Sequence, residues 1–201
     1  MQICETYIYI TYRLAFIRTS LFMWMNLAAT NVLGSGALAG FPLGSPQSKL
    51  LSFQREKRYQ VLPAYTQDRI LFARVFQGSI DTTLFEDFIE HLLPFCGRWP
   101  EPKSVLIMDN ASFHHSVRIE QMCYNAGVKI LYLLPYSPDL NPIEKYFAEL
   151  KAFIKRNWHV YEADPSQGFD NFLEWCIDMV GRKEKSAKGH FRHAGLTVEE
   201  L

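Results

Sequence analysis

The sequence has no surplus of charge: 21 basic and 21 acidic residues cancel over 201 positions. A free-standing DNA-binding module is normally basic overall, so this balance argues against nucleic acid as the default partner. Cysteine is sparse. Cys4, Cys96, Cys123 and Cys176 stand far apart with no short metal-ligand spacing, which speaks against a structural zinc and points to a reducing, intracellular compartment. No uninterrupted apolar run has membrane length. The opening MQICETYIYITYRLAFIRTSLFMWM is broken by Arg13 and Arg18 and lacks the basic, apolar and small-residue order of an export signal. A soluble chain with no membrane partner is expected. Internal repeats and low-complexity tracts are also missing. The hydrophobic fraction of 48% argues against wholesale disorder, and 201 residues suffice for one α/β domain with a sizeable core.

The chain divides into a short N-terminal segment (1–20), a domain (21–160), and a C-terminal helix with a basic tail (161–201). Leu21 to Met25 is a short apolar run suited to a strand buried on both faces, and it ends at Asn26. The Gly-, Ser- and Ala-rich stretch after it, closed by Pro42 and Pro46, reads as a long loop. Tyr59 to Tyr65 and Ile70 to Phe76, joined by Thr66-Gln67-Asp68-Arg69, form a hairpin. Asp81 or Thr82 caps a helix with Leu84, Phe85, Phe88, Ile89 and Leu92 at helical spacing. Ser104 to Met108 is the next buried strand, Ser116 caps a helix that Gly127 ends, and Val128 to Leu134 is a further strand. Asn141-Pro142 then opens a helix reaching about Asn157, with Ile143, Phe147, Leu150 and Ile154 as one apolar stripe. Residues 170–180 form another helix. Strand, loop, hairpin, helix, strand, helix, strand, helix is the order of an α/β mixed sheet flanked by helices.

The chemistry-bearing stretch runs from Lys103 to Trp158. KSVLIMDNASFHHS ends an apolar run at Asp109, and LPYSPDLNPIEKYFAELK opens the helix with Glu144, a spacing of 35 positions. MDNASFHH followed by LPYSPDLNPIEKYFAELK at that distance, together with RYQVLPAYT, FQGS and HFRHAGL, resembles the catalytic domain of mariner-type transposases of the DDE superfamily. Any one of these motifs is weak, because DN and NPIE occur by chance. Their order and spacing carry the resemblance, which covers about residue 21 onward.

The resemblance implies a ribonuclease-H-like fold and a divalent-metal nuclease centre acting on DNA. Phosphodiester cleavage at neutral pH is greatly assisted by two hard cations about 4 Å apart. Magnesium takes oxygen ligands, and two such ions repel by roughly 16 kcal/mol at an effective dielectric near 20, so several carboxylates must offset the repulsion. Members of the family use three acids, from the first strand, the fourth strand and a late helix. Asp109 matches the second and Glu144 the third, as ligands for Mg2+ or Mn2+.

Each candidate has a plainer explanation beside it. Asp109 before Asn110 could be a turn former. In Asn141-Pro142-Ile143-Glu144, Asn141 suits an N-cap, Pro142 the first helical position, and Glu144 the carboxylate of a capping box. The paired context favours the functional reading of both acids. His114 matches a histidine of the family pattern that faces DNA or orients the loop, and a packed or solvated loop histidine is the alternative. Lys151 and Lys155 share a helical flank with Glu144 and are candidate phosphate contacts, against a merely solvated face. Basic runs at 49–58 and 181–193 are further phosphate candidates, or solvated surface.

The first acid departs from the family pattern. Asn31 and Gly40-Phe41 align with later landmarks and put the catalytic position at Asn26. An amide is isosteric with a carboxylate but carries no charge, so it offers one neutral oxygen and offsets none of the metal repulsion. Asp68, Asp81 and Asp139 are poor substitutes, reading as hairpin turn, helix cap and Ser-Pro-Asp turn. Transposases of this type usually carry an N-terminal helix-turn-helix region, which the residues ahead of the first strand are too few to hold. Three readings follow: a truncated, impaired catalytic domain; a nucleic-acid-binding relic without cleavage; and an active divergent nuclease that tolerates Asn26 or recruits another acid. DNA is the implied partner, a second copy of the chain a candidate one, and the nucleus the implied location.

Overall fold

The structure is a computed structural model, and it describes residues 22–25, 59–109, 116–133 and 138–196. Five strands form one mixed sheet: β1 (Phe22–Met25), β2 (Tyr59–Tyr65), β3 (Ile70–Gln77), β4 (Val105–Met108) and β5 (Lys129–Tyr132). The order across the sheet is β3-β2-β1-β4-β5. β1 and β2 are antiparallel, as are β2 and β3, whereas β1, β4 and β5 run parallel. Among the described residues the helices are α1 (Thr82–Leu92), α2 (Val117–Ala126), α3 (Ile143–Arg156), α4 (Trp158–Ala163), α5 (Phe169–Gly181) and α6 (Glu184–His193).

Strand alternation sorts the core into two layers. On β4, Val105 and Ile107 join Val61 and Tyr65 of β2 in a core with α3, α5 and α6. Leu106 and Met108 join Leu62 and Ala64 in a second core with α1 and α2. All four β4 residues are buried, as a central strand covered on both faces requires. This is the ribonuclease-H-like arrangement, a mixed sheet between helical layers.

Local signals set the element ends. The Asp81 carboxylate accepts from the Leu84 amide at 2.9 Å and caps α1. Ser116 Oγ accepts from the Arg118 amide at 3.2 Å and caps α2, which Gly127 terminates at φ 75°, a conformation that glycine adopts without strain. The hairpin turn between β2 and β3 closes through Thr66, whose hydroxyl donates to the Arg69 carbonyl at 2.8 Å and accepts from the amides of Asp68 and Arg69. Asp81 and Asp68 therefore serve as a cap and a turn residue. Asp139 lies exposed in a 3-10 turn, Pro138–Leu140.

Two differences from the sequence reading stand out. The basic run expected as a tail is helix α6, with Ala187 and Phe191 buried in the core. Pro142 precedes α3 instead of standing inside it, and the helix begins at Ile143. The expected long loop and the basic run at 49–58 lie outside the described residues.

Candidate active site

The parallel half of the sheet brings three strand ends together. Met25 is paired with Met108 and Met108 with Tyr132, so β1, β4 and β5 finish side by side at one edge. The outer side of parallel strand ends is where open α/β sheets place their ligands, because the backbone there stops bonding to itself. Asp109 follows the middle strand of the three. The Leu133 amide donates to the Met108 carbonyl at 2.8 Å, carrying the ladder one rung further and pinning the peptide that leads into Asp109. Period-two alternation from Val105 and Ile107 directs position 109 to the α3 side of the sheet. Asp109 is half-buried.

Glu144 is presented by the opposite logic, from a helix start. Asn141 is 4% exposed, and its Oδ1 accepts from the Ile143 amide at 3.1 Å. Its carbonyl accepts from the Glu144 amide at 3.3 Å. Ile143 is sealed in the same core as Ile107 and Leu133. One residue on, a rotation of about 100° turns the side chain away from the core, and Glu144 is exposed. The buried stripe holding α3 down is Ile143, Phe147, Leu150 and Ile154, as the spacing predicts, with Tyr146 added. The Tyr146 hydroxyl donates to the Ile177 carbonyl of α5 at 3.4 Å, and burial holds that hydroxyl well above the usual phenol range.

Lys151 is half-buried and Lys155 exposed. Helical rotation puts each within roughly 20° of Glu144 around the α3 axis. Neither forms an ion pair among the described residues. The other basic run differs. Lys183 pairs with Glu149 at 2.8 Å, Lys188 with Glu184 at 2.7 Å and Arg182 with Asp178 at 2.6 Å. At least three of its cations are therefore already matched by the protein's own acids.

Asn26 and His114 lie outside the described residues. Carboxylate oxygens at Asp109 and Glu144 are the hard donors that magnesium or manganese takes. Among the described residues no group of three His, Cys, Asp or Glu side chains is placed to hold an ion. The two acids thus fit such a metal in kind. Cys96, Cys123 and Cys176 are free, and burial pushes the Cys96 thiol up to about 11 and the Cys123 and Cys176 thiols up to about 12. At neutral pH they are inert packing groups.

A feature that sequence reasoning missed lies between α3, α6 and β2. The Tyr65 hydroxyl meets His190 Nδ1 at 2.8 Å, and His190 Nε2 faces Glu149 at 3.6 Å. These three residues are remote in sequence and have no spacing signature.

The sequence matches the family described as DDE superfamily endonuclease over residues 37–163, more than half of the chain. No curated protein matches significantly. Among solved structures, a pre-cleavage Mos1 transpososome is similar at 12% identity and a TM-score of 0.49, covering 98% of this chain and 61% of that one. The catalytic core domain of BIV integrase is similar at 15% identity and a TM-score of 0.48, covering 88% and 98%. A simian T-cell lymphotropic virus intasome in complex with PP2A regulatory subunit B56 gamma gives 15% and 0.46, covering 59% and 41%. The chain thus spans 41% and 61% of two of the matched chains. No helix among the described residues is long and apolar enough to cross a membrane.

Proposed function

The chain belongs to the DDE superfamily endonuclease family, and from that premise we propose that it is the catalytic domain of a mariner-type transposase whose DNA cleavage is impaired at one position. The observation that carries this reading is Asp109 at the end of the central parallel strand, beside the end of β1. In the sequence the residue that follows β1 is Asn26, the position that the family resemblance assigns to the first acid.

Asp109 and Glu144 are the residues that would hold Mg2+ or Mn2+. When bound, the ion pair would activate an attacking oxygen and stabilise the leaving one. The protein's own contribution is to hold the two carboxylates by rigid elements. Asp109 follows a strand fixed on both sides, and Glu144 sits in a helix turn fixed by Asn141 and Ile143. Lys151 and Lys155, on the Glu144 flank of α3, supply charge for the DNA backbone, and His114 acts in the loop after Asp109 on that same substrate. With an amide at position 26, one of three negative charges is missing against a repulsion of roughly 16 kcal/mol, so metal occupancy is weakened. DNA as substrate makes the nucleus the place of action, and synapsis of two DNA ends makes a second copy of the chain the partner.

A nicking assay on supercoiled plasmid tests the reading. Slow, Mn2+-dependent nicking is expected, enhanced in Asn26→Asp and abolished in Asp109→Ala. Nicking that persists in Asp109→Ala or in chelator overturns it. The Asn26 position also favours a second reading, a nucleic-acid-binding domain without cleavage. That reading predicts salt-sensitive DNA binding with no nicking in wild type or Asn26→Asp.

A further inference from the structure

The part-buried polar cluster beneath α3 has no part in the chemistry described above, yet it sits on the helix that carries Glu144. Glu149 is one turn and a half further along that helix. Its Oε1 accepts from Lys183 Nζ at 2.8 Å and from Ser186 Oγ at 3.4 Å, and its Oε2 faces His190 Nε2 at 3.6 Å. His190 Nδ1 meets the Tyr65 hydroxyl at 2.8 Å. Tyr65 is 2% exposed and belongs to the central sheet, and the His190 side chain is 17% exposed. The chain of contacts therefore runs from sheet to α6 to α3.

The tautomer that suits both neighbours carries its proton on Nε2 toward Glu149 and leaves Nδ1 to accept from the tyrosine hydroxyl. Buried polar groups are costly unless satisfied, and an apolar replacement would pack as well. A fully satisfied polar network adds directional contacts that rigidify and specify one arrangement of the packed elements. Around it, the rings of Tyr146 and Phe191 pack at a tilt against the Tyr65 ring, with centroids 5.1 and 5.5 Å away, closing the site on its apolar sides.

We propose that Tyr65, Glu149 and His190 are positioning residues, which lock α3 in register against the sheet and thereby set Glu144 relative to Asp109. The proposal deepens the metal-site reading and rests on it for its functional consequence, while the locking of α3 stands on the contacts alone. Position matters at this scale because a displacement of about 1 Å in a catalytic group costs about 100-fold in rate.

The test uses the full-length chain with Glu149→Gln, His190→Gln and Tyr65→Phe, and Ile89→Val in the opposite core as the control. Tyr65→Phe keeps the ring and so protects the test against loss of folding. Hydrogen exchange of the α3 amides is measured first, and Mn2+ titration second. Exchange in α3 at least tenfold faster, with α1 unchanged, supports the lock. An accompanying loss of Mn2+ affinity of at least fivefold, absent in Ile89→Val, supports its role in positioning Glu144. Variants that match wild type in both readouts, or that move α1 and α3 alike as Ile89→Val does, overturn it. If wild type takes up no Mn2+, the metal-site reading is what fails, and the exchange data decide the lock.

Discussion

At the scale of single residues, the first turn of α3 shows how much one side chain contributes. Asn141 satisfies a backbone amide that would otherwise be buried without a partner. Asn141→Ala should destabilise by about 1–2 kcal/mol, whereas Asn141→Asp should lose far less. Urea unfolding measures both. His190 gives a pH signature of defined sign. Burial lowers its pKa from the ordinary 6.5, outweighing the Glu149 charge that raises it, while Lys145 and His193 add to the lowering. The folded state thus prefers the neutral ring. Stability is fully present above pH 6.5 and is lost as pH falls from there through the lower folded value. Unfolding free energies between pH 8 and pH 5 should show this loss in wild type, and a smaller one in His190→Gln.

Secondary-structure elements differ in how plainly their residues announce them. The hairpin strands and α1 were legible because period-two and period-3.6 patterns were bounded by Thr66-Gln67-Asp68-Arg69 and by Asp81. α6 was not. Its ten residues offer only Ala187 and Phe191 to the core, and the surrounding cations mimic a solvated tail. Asp109 and Glu144 are candidates from the sequence because both stand at element ends within a spaced pattern. The Tyr65–Glu149–His190 cluster could not, since only the folded chain brings a strand and two helices together. At this scale Phe191→Ala should cost about 3–5 kcal/mol, enough to undo α6 docking by thermal melting. Gly181 at the end of α5 lies against β3, where an added Cβ would meet Ile70 Cγ1 at 2.7 Å and Cβ at 2.9 Å. Ile70 is β-branched and cannot swing aside, so Gly181→Ala should destabilise by about 1–3 kcal/mol in the same assay.

For the molecule as a whole, the proposed DNA contact is compatible with a neutral chain because of where the unmatched charge lies. Many cations of the described surface are bound up with acids, among them Arg118 with Glu86 and Glu90 and Lys183 with Glu149. Lys151 and Lys155 are left on the Glu144 side of α3. If both touch phosphates, Lys151→Ala with Lys155→Ala should reduce the slope of log affinity against log salt by about 2. The central claim, a DDE metal site weakened at one ligand, is tested most directly by calorimetric titration of Mn2+ into wild type, Asn26→Asp and Asn26→Asp with Asp109→Ala. Affinity at least tenfold higher in Asn26→Asp, and lost again when Asp109 is removed, is the expected result. Equal affinity in wild type and Asn26→Asp, or tight binding that survives without Asp109, would contradict it.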